Sequence, residues 1–438
     1  MNAELRRYAW LELGWHRVAV VPLLLGLVSA AVLYSAPNPA TTLAWGALGL
    51  FLLMTAGWGA MRALASVAEE VRDRTWDFQR MAAVTPAELA LGKVFGAPLF
   101  QWYAGAWCLA VLAIAGTRAG WPRMGSMLLG LVACAVMLHG LGVAVSAAGA
   151  RTRIGERSRR IGGLLLVLTV LQMLPLAFLV DLSGDRQAFV RWWGRPWPVT
   201  TFAAASAALF AVWAVLAAWR AMLRELQEPA RPWPWPAFAL FAAAWAGGIA
   251  TPAMERIGFA SAAAVASLVL TVGAYVACLL DPLTRVSLAR MARAWRPRAP
   301  RWPHRVPPWA IHGALAVLAG AIALLTGRSN EPLPALALVA ALMALRDAAV
   351  VSCFALASPA RSAVGRAVFY IALADLLVPT LAMAVGLPGL AHAVFPPMML
   401  AASPGQAWLA MAVHAMLGCA ALAFLAMRAR RADAGPAA

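Results

Sequence analysis

The side chains of this sequence that could take part in chemistry are its few charged residues. Only 12% of the 438 residues are charged, while 63% are hydrophobic. The sequence shows no Ser/His/Asp set, no paired carboxylates suited to hydrolysis or glycosyl transfer, and no C-x-x-C motif. Its charged residues are concentrated in stretches such as 66–93, between two apolar runs. We therefore expect ion pairing and contact with a partner rather than bond-making chemistry, and no enzyme activity in this chain.

A few ionisable or polar residues lie inside the apolar runs, where such groups are costly and often functional. The clearest is Asp375, about 12 Å into its run at about 1.5 Å per helical residue. Pro379 follows four residues later and removes the amide that would bond the carbonyl of Asp375. Together with His139 and Gln172, Asp375 is a candidate for a transport pathway. The alternative for each is a structural role, with His414 as a further candidate partner.

The apolar runs that hold these residues are long enough to cross a bilayer. A hydrocarbon core of about 30 Å needs roughly 20 helical residues, and apolar runs without alternation are typical of helices rather than barrel strands. The sequence thus predicts an all-α polytopic membrane protein with about twelve transmembrane helices. We place them at 18–34, 41–65, 94–116, 124–149, 162–181, 199–219, 237–253, 259–280, 310–326, 333–357, 368–388 and 406–426.

The basic residues indicate how these helices are oriented. The chain has 36 Lys and Arg against 18 Asp and Glu, a net charge of +18. Most of the basic residues lie at the two ends and in alternate loops, which predicts that both termini are cytoplasmic. The same asymmetry explains the positive charge through contacts with anionic membrane lipids, so we expect no nucleic-acid partner. The charged lead before 18–34 favours an uncleaved first helix over a signal peptide.

The spans divide into two predicted halves of six helices, 1–230 and 231–438. The second half carries a basic cytoplasmic loop, 281–309, which suits either anionic headgroups or a docking partner. It also contains a weak internal repeat of the residue pattern that follows span two. This repeat suggests a second cytoplasmic contact at Arg346, Asp347, Ser358, Pro359 and Arg366.

The segment 66–93, between the second and third spans, has the pattern of an amphipathic helix on the membrane surface. Its apolar residues recur at helical spacings, with charged residues on the other faces. Thr85, Pro86 and Glu88 then match a capping box that starts a new helix. The segment should therefore turn sharply into span three and be held rigidly. This arrangement fits either an ordinary interfacial helix or an element that transmits force from a soluble motor.

This segment resembles the cytoplasmic coupling-helix region of type-2 ATP-binding-cassette (ABC) exporter permeases. The pattern of that region begins with a glutamate and the motif R-x-G-T-x-E. A T-P pair, an acidic residue and a final G-K pair follow, and Gly92 matches the glycine of that last pair. Two positions depart from it, with Arg74 at the usual glycine and Asp77 at the usual glutamate. The residues expected to couple to the motor are Glu69, Glu70, Arg72, Asp73, Arg74, Thr75, Asp77, Thr85, Pro86, Glu88 and Lys93.

The resemblance implies the membrane permease subunit of an ABC exporter in the bacterial cytoplasmic, or inner, membrane. A separate ABC ATPase subunit would bind and hydrolyse ATP with Mg²⁺, since this chain lacks the G-x-x-x-x-G-K-[ST] loop and should hold no cofactor or metal. A second copy or a second permease would be a further partner. The apolar bundle suggests a lipophilic or amphipathic cargo.

Two alternatives stay open at this stage. One is a twelve-helix secondary transporter driven by an ion gradient, although the facilitator signature G-x-x-x-D-R-x-G-R-R is absent. The other is a membrane scaffold or assembly factor that transports nothing.

Overall fold

The structure is a computed structural model of the chain. It describes residues 2–82, 84–151, 189–228, 233–250, 258–280, 306–327, 332–357, 363–394 and 404–433. The predicted fifth span, 162–181, and most of the basic loop 281–309 lie outside these ranges.

The protein is an all-α polytopic membrane protein. Ten helical segments among the described residues are long and apolar enough to cross a membrane. They coincide with every predicted span except the fifth and the seventh. The helix at the seventh, Pro234–Ala250, is apolar but has only 17 residues. The total of twelve spans and the cytoplasmic position of both termini stay predictions.

The chain folds into two compact units. The first consists of Met1–Val190 and Trp197–Ala230, and the second of Arg191–Pro196 and Arg231–Ala438. The predicted halves, 1–230 and 231–438, stay a prediction about a repeated architecture.

The first unit begins with a short helix that precedes the spans. Its helices are α1 (Ala3–Glu12), α2 (Trp15–Ser35), α3 (Pro39–Phe51), α4 (Gly59–Arg72), α5 (Trp76–Met81), α6 (Pro86–Leu91), α7 (Leu99–Arg118), α8 (Met124–Arg151) and α9 (Val199–Glu225). Helix α8 packs against α4 and α9, and α3 packs against α7. Phe51, Leu112 and Leu131 are fully buried between these helices.

Two π-helical turns interrupt the spans of the first unit, Leu52–Trp58 between α3 and α4 and Gly92–Gly96 before α7. Such turns are rare and often mark functional sites. At the first turn, Nε2 of the buried His139 donates to the carbonyl of Thr55, 2.9 Å away. The hydroxyl of Thr55 donates in turn to the carbonyl of Gln101 at 3.0 Å. His139, a predicted pathway residue, therefore ties α8 to the π turn.

The predicted single amphipathic helix is divided in the structure. Helix α4 continues the second span to Arg72, and the short helices α5 and α6 follow as separate pieces. Val67 and Leu89 of the predicted apolar stripe are buried in the core, whereas Phe78 and Met81 are 73% and 76% exposed. The stripe does not form one face, because the chain turns between α4 and α5.

The second unit is built almost entirely from helices that pack through small residues. They are α10 (Pro234–Ala250), α11 (Phe259–Leu280), α12 (Pro308–Thr326), α13 (Pro332–Ala357), α14 (Ala363–Ala384), α15 (Pro388–Val394) and α16 (Pro404–Asp433). Helix α11 packs against α10, α12 and α13, and α13 also packs against α16. A Cβ on Gly320 would lie 2.9 Å from the backbone of Leu338, so α12 and α13 approach closely there.

The described residues also contain one β-hairpin, β1 (Phe189–Trp192) and β2 (Arg195–Pro198). Trp193 and Gly194 form its turn with φ of 48° and 75°, as a tight hairpin turn requires. The side chain of Trp192 donates to the carbonyl of Trp245 at 3.0 Å, which fixes the hairpin tip on α10. The hairpin leads directly into α9 at Val199.

Candidate functional site

The turn between α4 and α5 is set by backbone bonds and by one unusual residue. The amide of Thr75 donates to the carbonyl of Glu70 at 2.9 Å, and the amide of Asp73 to that of Glu69 at 2.8 Å. Arg74 closes the turn with φ of 58°. Residues with a side chain rarely adopt this left-handed conformation, whereas glycine adopts it without a steric cost. A glycine at this position, as in the pattern that the segment resembles, would suit the turn.

Lys93, the single lysine of the sequence, is fully buried beneath this turn. The second π turn places its ammonium group against Oε2 of Glu70, with which it forms an ion pair, and 3.4 Å from Oε1 of Glu4. Trp76, the first residue of α5, is buried with its ring 5.2 Å from the Lys93 nitrogen. Lys93 thereby joins α1, α4 and α5 at the start of the third span.

Helix α1 supplies the other half of this arrangement. Arg7 donates to Oε1 of Glu4 at 2.8 Å and also binds Oε1 of Glu70. We call Glu4, Arg7, Glu70 and Lys93 the Lys93 cluster. It contains two cations and two carboxylates, so its formal charges cancel, as a buried ion network requires.

Two further side chains complete the bonding around Glu70. The amide of Gln79, on α5, donates to Oε1 of Glu70 at 2.8 Å. The hydroxyl of Tyr8, on α1, lies 3.4 Å from the same oxygen. Burial, with the neighbouring carboxylates of Glu70 and Glu4, raises the pKa of Tyr8 well above its ordinary value. For Arg7, burial alone would lower the pKa, but Glu70 and Glu4 outweigh it and raise the pKa.

Helix α1 can reach the cluster only because it approaches the second π turn closely. A Cβ on Gly92 would lie 2.5 Å from Cβ and Cγ of Glu4, and one on Gly96 would lie 2.7 Å from the Tyr8 ring. In addition, the side-chain amide of Asn2 donates to the carbonyl of Glu88 at 2.6 Å. The side chains of α1 therefore pack directly against the backbone at the start of span three.

The predicted capping box is present at the start of α6. The Thr85 hydroxyl accepts from the amide of Glu88 at 3.2 Å, and the Glu88 carboxylate accepts from the amide of Thr85 at 3.1 Å. Pro86 occupies the first helical position. The bonds from the backbone and the side chain of Thr85 lower the pKa of the exposed Glu88 carboxyl.

The outward side of the turn and of α5 carries mixed charge and apolar groups. We call Val71–Arg74, Asp77, Phe78, Arg80 and Met81 the exposed coupling face. Arg72 pairs with Asp73 at 3.2 Å, and Arg80 lies 3.8 Å from Asp77. Phe78 and Met81 are exposed between these charges.

The structure thus separates the predicted coupling residues into two groups. Glu70 and Lys93 are interior, whereas Arg72, Asp73, Arg74, Thr75 and Asp77 are exposed. Glu69 lies between the groups and is 3.4 Å from Arg62, which also binds Glu12 of α1 at 3.1 Å. The sequence reasoning did not assign Glu4, Arg7, Tyr8 and Gln79 to the site. The charged residues of α1 carried no signal for this role, because a helix that only rests on a membrane also has a charged face.

A second group of polar residues lies in the second unit. Arg346 on α13 donates to both carboxylate oxygens of Asp375 on α14, at 3.0 and 2.9 Å. Its Nε donates to Asp347 at 2.7 Å. Arg346 and Asp347 thus lie in the middle of a span and bind inside the unit, which does not favour the predicted second cytoplasmic contact.

The remaining predicted site residues lie elsewhere on the chain or outside the described residues. Arg366 is exposed near the start of α14. Gln172, Ser358 and Pro359 fall outside the described ranges.

No protein-family profile, curated protein or solved structure matches this chain.

Proposed function

We propose that this chain is the membrane permease subunit of an ABC exporter in a bacterial cytoplasmic membrane. In this proposal a separate ATPase subunit docks on the exposed coupling face. Closure of that subunit around ATP stabilises one arrangement of the helix bundle over another, and the change exposes a path between helices to the opposite side. This chain would then perform no chemistry and hold no cofactor. The observed apolar helices support a transporter-like membrane protein, and the coupling segment supports the narrower assignment.

The observation that carries the proposal is the Lys93 cluster. It connects the exposed coupling face, through Glu70 and Trp76, to α1, to the end of the second span and to the start of the third. Breaking one partner of a buried ion pair costs about 3–5 kcal/mol, so these elements should move as one body. A force applied to α5 would therefore reach two spans instead of being absorbed by a flexible loop.

The composition of the exposed coupling face favours a protein partner over the membrane surface. Anionic headgroups attract uniformly basic segments, whereas this face places Asp73 and Asp77 among its arginines. Exposed Phe78 and Met81 could fill an apolar pocket, and their charged neighbours would form a polar rim. The ATPase subunit would need such a pocket with charges of the opposite pattern.

We expect an ABC ATPase subunit to be encoded beside this chain, and coexpression of the two tests the proposal. We expect a stable complex that survives purification, and we expect Phe78→Gln with Met81→Gln to abolish it. Asp73→Arg should weaken the complex, because it reverses one charge of the polar rim around Phe78 and Met81. Leu325→Gln is the matched control, since Leu325 is equally exposed but lies at the end of α12 in the second unit. A complex that tolerates the double change at Phe78 and Met81 would contradict docking on this face.

An ion-gradient-driven transporter is the second candidate function, and the Arg346–Asp375 pair is the observation that favours it. Charged residues within spans often mark ion pathways in such proteins. If transport stops on addition of a protonophore while ATP is held constant, this candidate replaces the first.

A further inference from the structure

Three ionisable side chains meet inside the second unit. Besides its bonds to Asp375, Arg346 binds Oδ1 of Asp347, whose Oδ2 accepts from the hydroxyl of Tyr275 on α11 at 2.6 Å. His414 on α16 lies with Nδ1 3.4 Å from Nη1 of Arg346. We call Arg346, Asp347 and Asp375 the Arg346 network.

The network lies near the middle of two spans. Arg346 comes about 21 Å along α13, a helix about 39 Å long, at about 1.5 Å per residue. Asp375 comes about 18 Å along α14, which is about 33 Å long. Both ends of each helix are therefore far from the network, and the charges cannot reach the headgroup layer by extending their side chains.

The charges of the Arg346 network do not balance. One guanidinium faces two carboxylates, so the fully ionised network carries one net negative charge, in contrast to the balanced Lys93 cluster. An uncompensated charge at this depth is costly, so the network is more stable when one of its carboxylates is neutral.

No neighbouring group among the described residues supplies the missing positive charge. Tyr275 and Cys278 of α11 face Asp347 as neutral groups. His414 presents Nδ1 to a donor and is therefore an acceptor there. His312 of α12 bonds to the carbonyl of Pro308, and Arg428 of α16 lies over the ring of Phe424. His392, on the neighbouring helix α15, forms no ion pair with Asp375, and its Nδ1 is buried without a hydrogen bond.

We propose that the Arg346 network is a proton-binding site and that Asp375 carries the proton. The proton adds to a carboxylate oxygen of Asp375 and converts it to a neutral acid, which leaves the Arg346–Asp347 pair balanced. Asp347 is the better stabilised anion because Arg346 and Tyr275 each donate to a different one of its oxygens. Both oxygens of Asp375 share a single nitrogen of Arg346.

The position of Asp375 on α14 gives the proton a structural consequence. The more buried residues of α14 form one narrow stripe, with spacings of three or four residues, and the rest of the described helix is exposed. The stripe consists of Ala367, Ile371, Asp375, Pro379 and Ala382. Two of its other members are alanines, and the Arg346–Asp375 bond joins this stripe to α13. Protonation weakens that bond and frees α14 to move away from α13.

Infrared spectroscopy of the full chain in lipid vesicles tests this inference, which needs no motor subunit and is independent of the proposed function. A protonated carboxyl group absorbs at a higher frequency than a carboxylate. We expect the wild-type chain at neutral pH to show a protonated-carboxyl band that Asp375→Asn abolishes. Asp347→Asn should abolish it too, because one cation then faces one carboxylate. Asp77→Asn, at an exposed position in the first unit, is the control and should leave the band unchanged.

Both Asn variants remove a negative charge and leave a balanced pair, so neither places an unpaired charge in the bundle. Loss of the band in Asp375→Asn supports the proton site, and its loss in Asp347→Asn as well shows that the proton is bound because of the charge imbalance. A wild-type chain without the band, or a band that persists in Asp375→Asn, would overturn it.

Discussion

The ammonium group of Lys93 is surrounded by Glu4, Glu70 and the rings of Tyr8 and Trp76, and it has no contact with solvent. Its role is thus internal, although it belongs to the same sequence motif as the exposed residues of the turn. The same holds for Glu70. A substitution at either position should change the rigidity of the segment before it changes any contact with a partner.

Replacement of Lys93 by methionine should lower the stability of the chain by about 3–5 kcal/mol, because Arg7 alone would face two buried carboxylates. Thermal unfolding of the purified chain in detergent, followed by circular dichroism, measures the effect. Lys93→Met combined with Glu70→Gln should be less harmful than the sum of the two single changes. Additive effects would show that the two residues do not interact.

Arg74 adopts φ of 58°, so the residue type at this position should affect stability in a defined direction. We expect Arg74→Gly to preserve or raise the unfolding temperature. Arg74→Val should lower the stability by about 1–2 kcal/mol, because a β-branched side chain clashes in the left-handed conformation. Equal stability of the two variants would contradict the turn described here.

At the scale of elements, the contact between α1 and the second π turn depends on the absence of a side chain at Gly92. Gly92→Ala should push α1 away and cost about 1–3 kcal/mol, the usual range for overpacking. Gly46→Ala is the matched control, since a Cβ there meets nothing within 4 Å. Limited proteolysis after Arg6 and Arg7 would report the release of α1, and equal cleavage in the two variants would argue against close packing.

The start of α6 should respond to acid through Glu88. Because the folded state lowers the pKa of Glu88 below its ordinary value of 4.5, its contribution is complete above that value and is lost as the pH falls through the lower pKa. Hydrogen exchange of residues 85–91 should therefore accelerate in acid. Glu88→Gln keeps a capping side chain without a titrating group, so its exchange should lack this dependence. The same acid response in both proteins would rule out Glu88 as its cause.

The elements were predictable from the sequence to the extent that local patterns determine them. The apolar runs gave the spans, since their length is fixed by the bilayer, and Thr85, Pro86 and Glu88 gave the capping box, whose bonds are all local. The break at Arg74 was not predictable, because nothing in the residue type favours a left-handed backbone. Nor did helical periodicity distinguish the buried Val67 from the exposed Phe78.

The partners within each charged group were beyond sequence reasoning for a different reason. Glu4 and Lys93 are 89 residues apart, and Arg346 and Asp375 are 29 residues apart. Such pairs are set by the packing of helices, which a single sequence does not specify. Asp375 was recognised as unusual from its depth and from Pro379, but its partner Arg346 was not among the predicted candidates His139, Gln172 and His414 and came from the structure.

In the whole molecule, the two units differ in the net charge of their ion networks. In the first, the Lys93 cluster is balanced, lies beside an exposed face and connects several elements rigidly. In the second, the Arg346 network is unbalanced and joins α13 to α14. We expect the first unit to receive force and the second to change its conformation with proton binding.

Hydrogen exchange of residues 59–118 shows whether force from an ATPase subunit reaches two spans, when it is measured in vesicles that contain the full chain with or without that subunit. These residues include the end of the second span, the coupling segment and the third span. We expect ATP to change their exchange only when the ATPase is bound, and we expect Phe78→Gln with Met81→Gln to remove the change. An unchanged pattern in the intact complex, or the same change produced by a proton gradient without the ATPase, would contradict this expectation.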